Sequence, residues 1–420
     1  MHSEQVVVNP FANVIEQFVD DGAFLWVLRS IAVHQPHYNI EDLEELEQRI
    51  SSCLDGVLSA PDLGWETALQ ASDFEDSGET FVLSATAFRS MDVEKIKIAI
   101  EKGLANDKTF AGLVSSMGWL PGTFVHSWVK KFFTSKELVH KHLAVAACSV
   151  RREDPREYLS RIFERADCRE YLPLYGRSLR LVGELKRHDL KPDLEQALAH
   201  DEDEIRFYAL RSLVLLGSRQ SALALKPYVL APGPLQQQAM AIVFRALAIS
   251  DARSTISELA STENAARAVV EASGILGDPQ AVPWLILQMR NADMARIAGE
   301  AFTLITGINL EENGLAIDIP DLDEQMEAAG DEPASEELDA DENLPWPNVD
   351  KITATWKTYG VNFAVGTRYF MGRPIERAHL KKQLTSAYQR QRKAAALELS
   401  LMDSHELLVN VSAKSVVGDL

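Results

Sequence analysis

Few side chains in this sequence have types and spacings that could perform chemistry. Two close histidine pairs occur, His34-x-x-His37 and His140-x-His142. Residues two apart on a helix point to different faces, so His140 and His142 cannot easily share a metal ion. His34 and His37 flank Pro36 in a predicted loop, with no cysteine close by. The sequence therefore predicts no metal site.

The common motifs of nucleotide binding and hydrolysis are absent from the sequence. It contains no GxGxxG, GxxxxGK[ST], GxSxG or HExxH, so phosphate-binding loops and nucleophile elbows have no support. Carboxylate pairs are common in any chain with 62 acidic residues, and their presence does not indicate acid–base catalysis. We expect a protein that is not an enzyme and that has no cofactor.

Cysteine usage and hydropathy indicate the compartment. Only Cys53, Cys148 and Cys168 occur, with no CxxC spacing, and Cys148 lies in the apolar run 144–150. A disulfide framework is not expected, which favours a reducing cytoplasm. No stretch approaches the roughly 20 consecutive apolar residues that span a bilayer, and the first residues lack the pattern of a secretory signal. We expect a cytoplasmic protein that does not bind membranes.

The net charge of −20 is concentrated in one segment. Between Arg296 and Lys351 there is no lysine or arginine, but there are sixteen aspartates and glutamates. Outside that interval 46 acidic residues face 42 basic ones. The segment would repel phosphates, so nucleic acid is not an expected partner.

The elements that must position these side chains follow a repeat through the middle of the chain. Short apolar helical stretches end in a small residue at intervals of 27 to 34 positions. The closing residues are Ser149, Gly183, Gly217, Ser250, Gly277 and Gly307. This period is typical of stacked helix pairs, which bury their apolar faces only against their neighbours. Such arrays usually present a surface to another molecule.

The flanking regions do not follow this period, and they suggest four regions in all. We predict an N-terminal helical cap at 1–107, repeats at 108–309, an acidic loop or linker at 310–343 and a C-terminal helical module at 344–420. In that module we predict a helix at 348–358, a short element at 367–372 and one long helix at about 376–401. Trp346, between two prolines, could anchor the module against the last repeat.

Several motifs in the two flanks resemble a known family. The N-terminal ones are Phe24-Leu25-Trp26-Val27-Leu28-Arg29, His37-Tyr38, Leu54-Asp55-Gly56 and Gly64-Trp65; the C-terminal ones are Leu344-Pro345-Trp346-Pro347, Gly366-Thr367-Arg368-Tyr369, Gly372-Arg373-Pro374 and the run from Gln389 to Leu399. Together they are similar to a bacterial family of HEAT-repeat proteins found beside type VI secretion genes. The resemblance covers nearly the whole chain and supplies no catalytic residues. It implies an all-α, HEAT-like solenoid of repeats of about 30 residues. Some members of the family look like immunity proteins.

The acidic segment has three interpretations at this stage. It could be a solvated linker, it could dock on the basic stretch 368–393 of the same chain, or it could bind a basic protein. Acidic residues also precede a predicted helix at 205–216, where they favour its N-terminus. The candidate partner-binding residues are Glu311, Glu312, Asp318, Asp321, Asp323, Glu324, Glu327, Glu202 and Asp203.

These observations favour a non-catalytic protein-binding function. We predict an immunity protein that neutralises a basic type VI effector, plausibly a nuclease, as a monomer within a heterocomplex. Two alternatives remain open. One is an adaptor that loads an effector onto the secretion apparatus, and the other is a HEAT-like subunit that assists an enzyme.

Overall fold

The computed structural model describes residues 11–318 and 340–415, most of which lie in α-helices. Two short two-stranded sheets are the only β-structure in this part of the chain. The predicted all-α, solenoid-like class is therefore confirmed. No helix in the described ranges is long and apolar enough to cross a membrane.

The chain forms two compact units, and their division falls inside the predicted repeat region. Unit 1 comprises Met1–His34, Tyr38–Leu185 and Val409–Leu420. Unit 2 comprises Gln35–His37 and Lys186–Leu408. The chain therefore leaves unit 1, builds unit 2 and returns to unit 1 near its end.

Unit 1 contains eleven α-helices among its described residues. They are α1 (Ala12–Ala32), α2 (Ile40–Leu58), α3 (Pro61–Ala71), α4 (Ser77–Ser90), α5 (Val93–Gly103), α6 (Asp107–Trp119), α7 (Gly122–Thr134), α8 (Leu138–Arg151), α9 (Glu157–Glu164), α10 (Ala166–Glu170) and α11 (Leu172–Glu184), with a 3₁₀ turn at Ser72–Phe74. Helix α4 packs most extensively against α1 and α6, and α8 packs against α6, α7 and α11.

Local sequence explains where these helices begin and how they pack. The side chain of Asn39 accepts the backbone N–H groups of Glu41 and Asp42, which starts α2 with a capping box. Helix α4 lies in the centre of the unit and is buried around most of its circumference. Its Phe81 is stacked on Trp26 at 5.4 Å and meets Trp119 edge-on at 5.5 Å. This aromatic group joins α1, α4 and α6.

Unit 2 continues the helix pairs and adds the two strand pairs. Its helices are α12 (Lys191–Ala197), α13 (Asp203–Leu215), α14 (Arg219–Ala224), α15 (Lys226–Leu230), α16 (Gln236–Ala246), α17 (Ile249–Leu259), α18 (Ala266–Leu276), α19 (Val282–Gln288), α20 (Ala292–Thr306), α21 (Val349–Tyr359), α22 (Arg377–Ser386) and α23 (Gln389–Met402). The 3₁₀ turns are His188–Leu190, Pro279–Ala281 and Gly360–Asn362. The strands are β1 (Ala316–Ile317), β2 (Trp346–Pro347), β3 (Tyr369–Phe370) and β4 (Arg373–Pro374), paired antiparallel as β1–β2 and β3–β4.

Most of the small residues that close the sequence repeat mark helix ends. Gly277 and Gly307 directly follow α18 and α20 with φ values of +74° and +69°, the left-handed conformation that glycine adopts without a steric penalty. Ser250 is the exception, because it lies at the start of α17. Helix α16 ends earlier, at Ala246, and Leu247 and Ala248 are extended.

The predicted long helix at 376–401 is wrong, because two helices occupy this region. Ala387 and Tyr388 adopt extended backbone conformations between α22 and α23, which pack against each other. The break leaves carbonyls of α22 without helical partners, and Arg392 Nε donates to one of them, Leu384 O, at 2.8 Å. Tertiary packing and this side-chain cap outweigh the local helix propensity.

Candidate partner-binding surface

The structure describes five of the nine predicted partner-binding residues. Glu311, Glu312, Asp318, Glu202 and Asp203 are all exposed. Asp321, Asp323, Glu324 and Glu327 lie outside the described residues.

Glu311 and Glu312 lie in a tight turn that follows α20. The Asn309 side chain accepts the backbone N–H groups of Glu311 at 3.0 Å and Glu312 at 3.3 Å. Leu310 and Leu315, at the two sides of this turn, are buried in the core that α19 and α20 share with the C-terminal module. The turn is thus anchored by its apolar residues, and its carboxylates face solvent.

Asp318 follows strand β1, which pairs with β2. The register places Ala316 opposite Pro347 and Ile317 opposite Trp346. The chain therefore enters and leaves the acidic segment at neighbouring positions beside α20. The Trp346 ring also lies 5.0 Å from the Arg296 guanidinium of α20, a contact that fits the predicted anchoring role of this tryptophan.

At its C-terminal edge, the acidic segment is held by arginines of the same unit. Asp341 is 3% exposed and accepts two hydrogen bonds from Arg267 of α18, at 2.6 and 2.8 Å. Arg296 donates to the Asp341 carbonyl at 2.9 Å. Donating these hydrogen bonds to the Asp341 carboxylate raises the pKa of Arg267. Residues 340–341 are therefore docked on the protein. Asp341 contacts α18 and α20, whereas the self-docking interpretation names the basic stretch 368–393, from which only Arg390 reaches this edge, at the Ala340 carbonyl.

The basic stretch 368–393 is largely engaged in internal contacts. Arg390 forms an ion pair with Glu300 of α20 at 3.0 Å and donates to the Ala340 carbonyl. Arg392 caps α22, and Arg368 pairs with the buried Glu398. Their cationic groups bind partners within unit 2.

The exposed acids differ from this docked edge. Within the described ranges, the carboxylates of Glu311, Glu312, Asp318 and Glu342 are exposed and have no ion pair. Three acids of the interval form ion pairs within the described residues: Glu300 and Asp341 in buried contacts, and the exposed Asp350 with Arg290 at 3.7 Å. The remaining exposed carboxylates give this edge of unit 2 a net negative charge, which is offset in part by Lys351, whose Nζ donates to the Gly314 carbonyl at 2.9 Å.

Glu202 and Asp203 occupy the start of α13, as the sequence predicts. Asp203 forms an ion pair with Arg206 and contributes to a pocket of about 480 Å³. Tyr228 OH, from α15, donates to the Asp203 carbonyl at 3.3 Å. No hydrogen bond or ion pair between described residues links these acids to Glu311, Glu312 or Asp318. The structure therefore places Glu311, Glu312 and Asp318 on one edge, and it does not join Glu202 and Asp203 to them.

His140 and His142, one of the two close histidine pairs, lie in different surroundings. The Nδ1 of His140 lies 2.9 Å from Ser135 Oγ, and the His142 ring stacks on Phe110 at 4.7 Å between centroids. Across the described part of the chain, no group of three or more His, Cys, Asp or Glu side chains could hold a metal ion.

The family-like motif at 366–369 has a structural role that sequence reasoning missed. Arg368 Nε donates to Leu276 O and Arg368 Nη1 to Arg245 O, both at 3.0 Å. These carbonyls are at the C-terminal ends of α18 and α16, where a cation is favoured. The preceding glycine and the basic residue were visible in the sequence, but their target carbonyls were not.

No protein-family model, no curated protein and no solved structure matches this chain.

Proposed function

We propose that this protein is a non-catalytic, cytoplasmic protein-binding module, and that it is an immunity protein for a basic type VI effector. The observation that carries the proposal is the exposed, unpaired acidic edge formed by Glu311, Glu312 and Asp318 beside α20. The resemblance of both flanks to proteins encoded beside type VI secretion genes suggests the biological setting.

A basic partner fits this edge for electrostatic reasons. Exposed charges of one sign attract an oppositely charged protein over about a Debye length and raise its association rate. A nuclease is basic where it binds phosphates, so an acidic surface could cover that site and exclude its substrate. Blocking of this kind requires no catalytic group on the inhibitor.

The proposal predicts that neutralising this edge slows association. The triple variant Glu311→Gln, Glu312→Gln, Asp318→Asn should lower the association rate constant for the cognate toxin, identified by co-purification, by roughly three- to tenfold at low salt, and flatten its salt dependence. Biolayer interferometry at several salt concentrations measures both. A second variant, neutral at Asp321, Asp323, Glu324 and Glu327, tests the rest of the segment.

The matched control removes three exposed carboxylates from unit 1, through Glu45→Gln, Glu101→Gln and Glu164→Gln. It changes the net charge equally and should leave the salt dependence nearly unchanged. Equal effects of the test and control variants would show that the total charge of the protein controls binding, and that the acidic edge has no special role.

Rescue of growth separates immunity from the adaptor alternative. Cells that express the cognate toxin should survive when this protein is co-expressed and should stop growing without it. Binding to a spike or adaptor component of the secretion apparatus, without rescue, would contradict the immunity proposal and favour the adaptor.

A further inference from the structure

Unit 1 contains a pocket of about 450 Å³, whereas the acidic edge belongs to unit 2. Helices α6, α8 and α11 form its walls, together with the chain segment at 410–414. Its volume lies within the range of small-molecule binding sites, about 300–1,000 Å³. Every residue that lines it belongs to unit 1.

The lining of this pocket is strongly cationic. It includes five cationic side chains and a single carboxylate, Glu184; the cations are Arg29, Arg152, Arg177, Arg180 and Lys414. A second carboxylate, Glu47, lies against Arg29. Even with both carboxylates counted, the pocket keeps an excess of three positive charges. The surrounding chain is acidic, so this local excess is opposite in sign to the net charge of the protein.

Buried contacts hold two of the guanidinium groups in place. Glu184 is 3% exposed and accepts hydrogen bonds from Ser149 Oγ at 2.7 Å and from Arg152 Nη1 at 2.8 Å. Arg29 is 6% exposed and donates to Glu47 Oε1 and to the Ala413 carbonyl, at 2.8 and 3.0 Å. A cation that is already ordered loses little conformational entropy when it binds an anion.

The other three cations line the cavity from two sides and also have contacts of their own: Arg180 Nη2 lies 4.0 Å from Glu184 Oε1, and Lys414 Nζ donates to Ser51 Oγ at 3.3 Å. Arg177 and Arg180 are three residues apart on α11, so they share one helix face. Lys414 lies across the Trp119 ring, with Nζ 4.5 Å from its centroid. These positions surround the same cavity with an ammonium group and guanidinium groups.

His142 contributes a polar but uncharged wall. Burial, and then the nearby positive charge of Arg177, lowers the pKa of His142 to about 4. Its neutral ring is stacked on Phe110, which also lines the pocket. The cavity therefore combines cations with two aromatic side chains.

We propose that this pocket binds a small organic phosphate. A guanidinium fork matches the geometry of phosphate oxygens and can donate to two of them at once. A phosphate group carries about −1.5 to −2 charges near neutral pH, so one or two such groups would balance the excess of three. The aromatic wall accommodates the organic part of the ligand. This site is independent of the proposed partner-binding edge.

Calorimetric titration of the full-length protein tests this assignment. The probes are inorganic phosphate, pyrophosphate, ATP, adenosine and citrate. We expect pyrophosphate and ATP to bind, adenosine to fail, and citrate to bind at least tenfold more weakly than pyrophosphate. Tighter binding of ATP than of pyrophosphate would indicate that the aromatic wall contacts the base, and equal binding that the phosphates suffice. Failure of both phosphate compounds to bind would overturn the proposal, and citrate binding as tightly as pyrophosphate would assign the pocket to carboxylates instead.

Variants locate the binding within the pocket. Arg177→Gln and Arg180→Gln should each weaken pyrophosphate binding at least tenfold, and Arg180→Lys should give an intermediate loss because the charge remains and the fork is lost. The control is Arg49→Gln, an exposed arginine of α2 outside the pocket. Circular dichroism confirms folding of each variant, and Arg180→Lys with Arg49→Gln preserves the test if a glutamine variant does not fold. Unchanged affinity in the pocket variants, or an equal loss in Arg49→Gln, would overturn the assignment.

Discussion

At the scale of single residues, buried ion pairs connect segments that are far apart in the sequence. Glu398 of α23 lies between Arg368 and Arg245, and its side chain is only 4% exposed. Burial lowers the pKa of Arg245 to about 10, although the charge of Glu398 opposes this shift. Such pairs are costly to break, because the remaining partner stays buried without compensation.

Removing Arg368 should therefore destabilise unit 2 strongly. We expect Arg368→Met to lower the free energy of unfolding by about 2–4 kcal/mol, since the carbonyls of Leu276 and Arg245 lose their donor and Glu398 keeps only Arg245 as a charged partner. Urea denaturation measures the change. Arg373→Met removes an exposed arginine of the same hairpin and should cost less than about 1 kcal/mol. Similar losses in the two variants would contradict the structural role of Arg368.

His142 should make stability depend on pH. Its pKa is about 4 in the folded state and about 6.5 in an unfolded chain. The unfolded state therefore binds more protons between these values, and stability is full above about pH 6.5 and falls as the pH approaches 4. We expect a loss of about 1–3 kcal/mol from this group. Denaturant midpoints of the wild type and of His142→Asn at pH 7.5 and pH 5 measure it. The variant should lose less stability on acidification, and an equal loss would show that other groups control it.

At the scale of elements, the β3–β4 hairpin of the C-terminal module packs against the helix ends that Gly277 and Gly307 close. Tyr369 N donates to Gly277 O at 2.7 Å, and Met371 N donates to Leu304 O at 2.6 Å. The β3–β4 hairpin therefore caps the ends of α18 and α20 with backbone hydrogen bonds. Gly277 therefore has two roles. It ends α18, and it allows the hairpin to approach closely because it has no side chain that would clash with Tyr369 O.

Alanine at Gly277 should expose this dual role. Its Cβ would lie 2.1 Å from Tyr369 O, and the left-handed backbone adds its own penalty, so we expect a loss of about 2–4 kcal/mol. Gly314→Ala is the control. Gly314 has a similar left-handed backbone, with φ +64°, but a Cβ at this position would have no atom within 4 Å. It should cost only about 1 kcal/mol. Thermal or urea unfolding gives both values, and equal losses would mean that the hairpin contact contributes nothing.

At the scale of the whole molecule, the C-terminal end of the chain completes unit 1. Arg29 donates to the carbonyls of Ser412 and Ala413, and Asn410 donates to Val150 O at 2.9 Å. A chain ending at Leu408 should therefore lose about 2–4 kcal/mol of stability, because hydrogen bonds to a charged group contribute about 1.5–3 kcal/mol. Denaturation followed by tryptophan fluorescence measures it. A chain ending at Ser415 keeps these contacts and should resemble the full chain; if both truncations behave alike, the contacts are not stabilising.

Much of the helical architecture could be predicted from sequence. Helix α2 (Ile40–Leu58) shows why: its apolar stripe and its capping residue act locally and can be seen in the sequence. The prediction of one helix at 376–401 was wrong, because the break at Ala387 and Tyr388 depends on the packing of α22 against α23. The acidic character of residues 311–318 was also visible from sequence. The internal pairing of Asp341 and Glu300 was not, since their arginines are 74 and 90 residues away in the chain.

The sequence by itself determined the all-α class, the approximate repeat and the concentration of negative charge, because periodicity, capping and composition are local properties of the chain. Only the tertiary structure decided which charges are compensated and which face solvent. It also gathered five cations around one cavity, from α1, from the residue that follows α8, from α11 and from the segment at 410–414. Neither result follows from spacing, because contacts between residues distant in sequence are set by how helices pack.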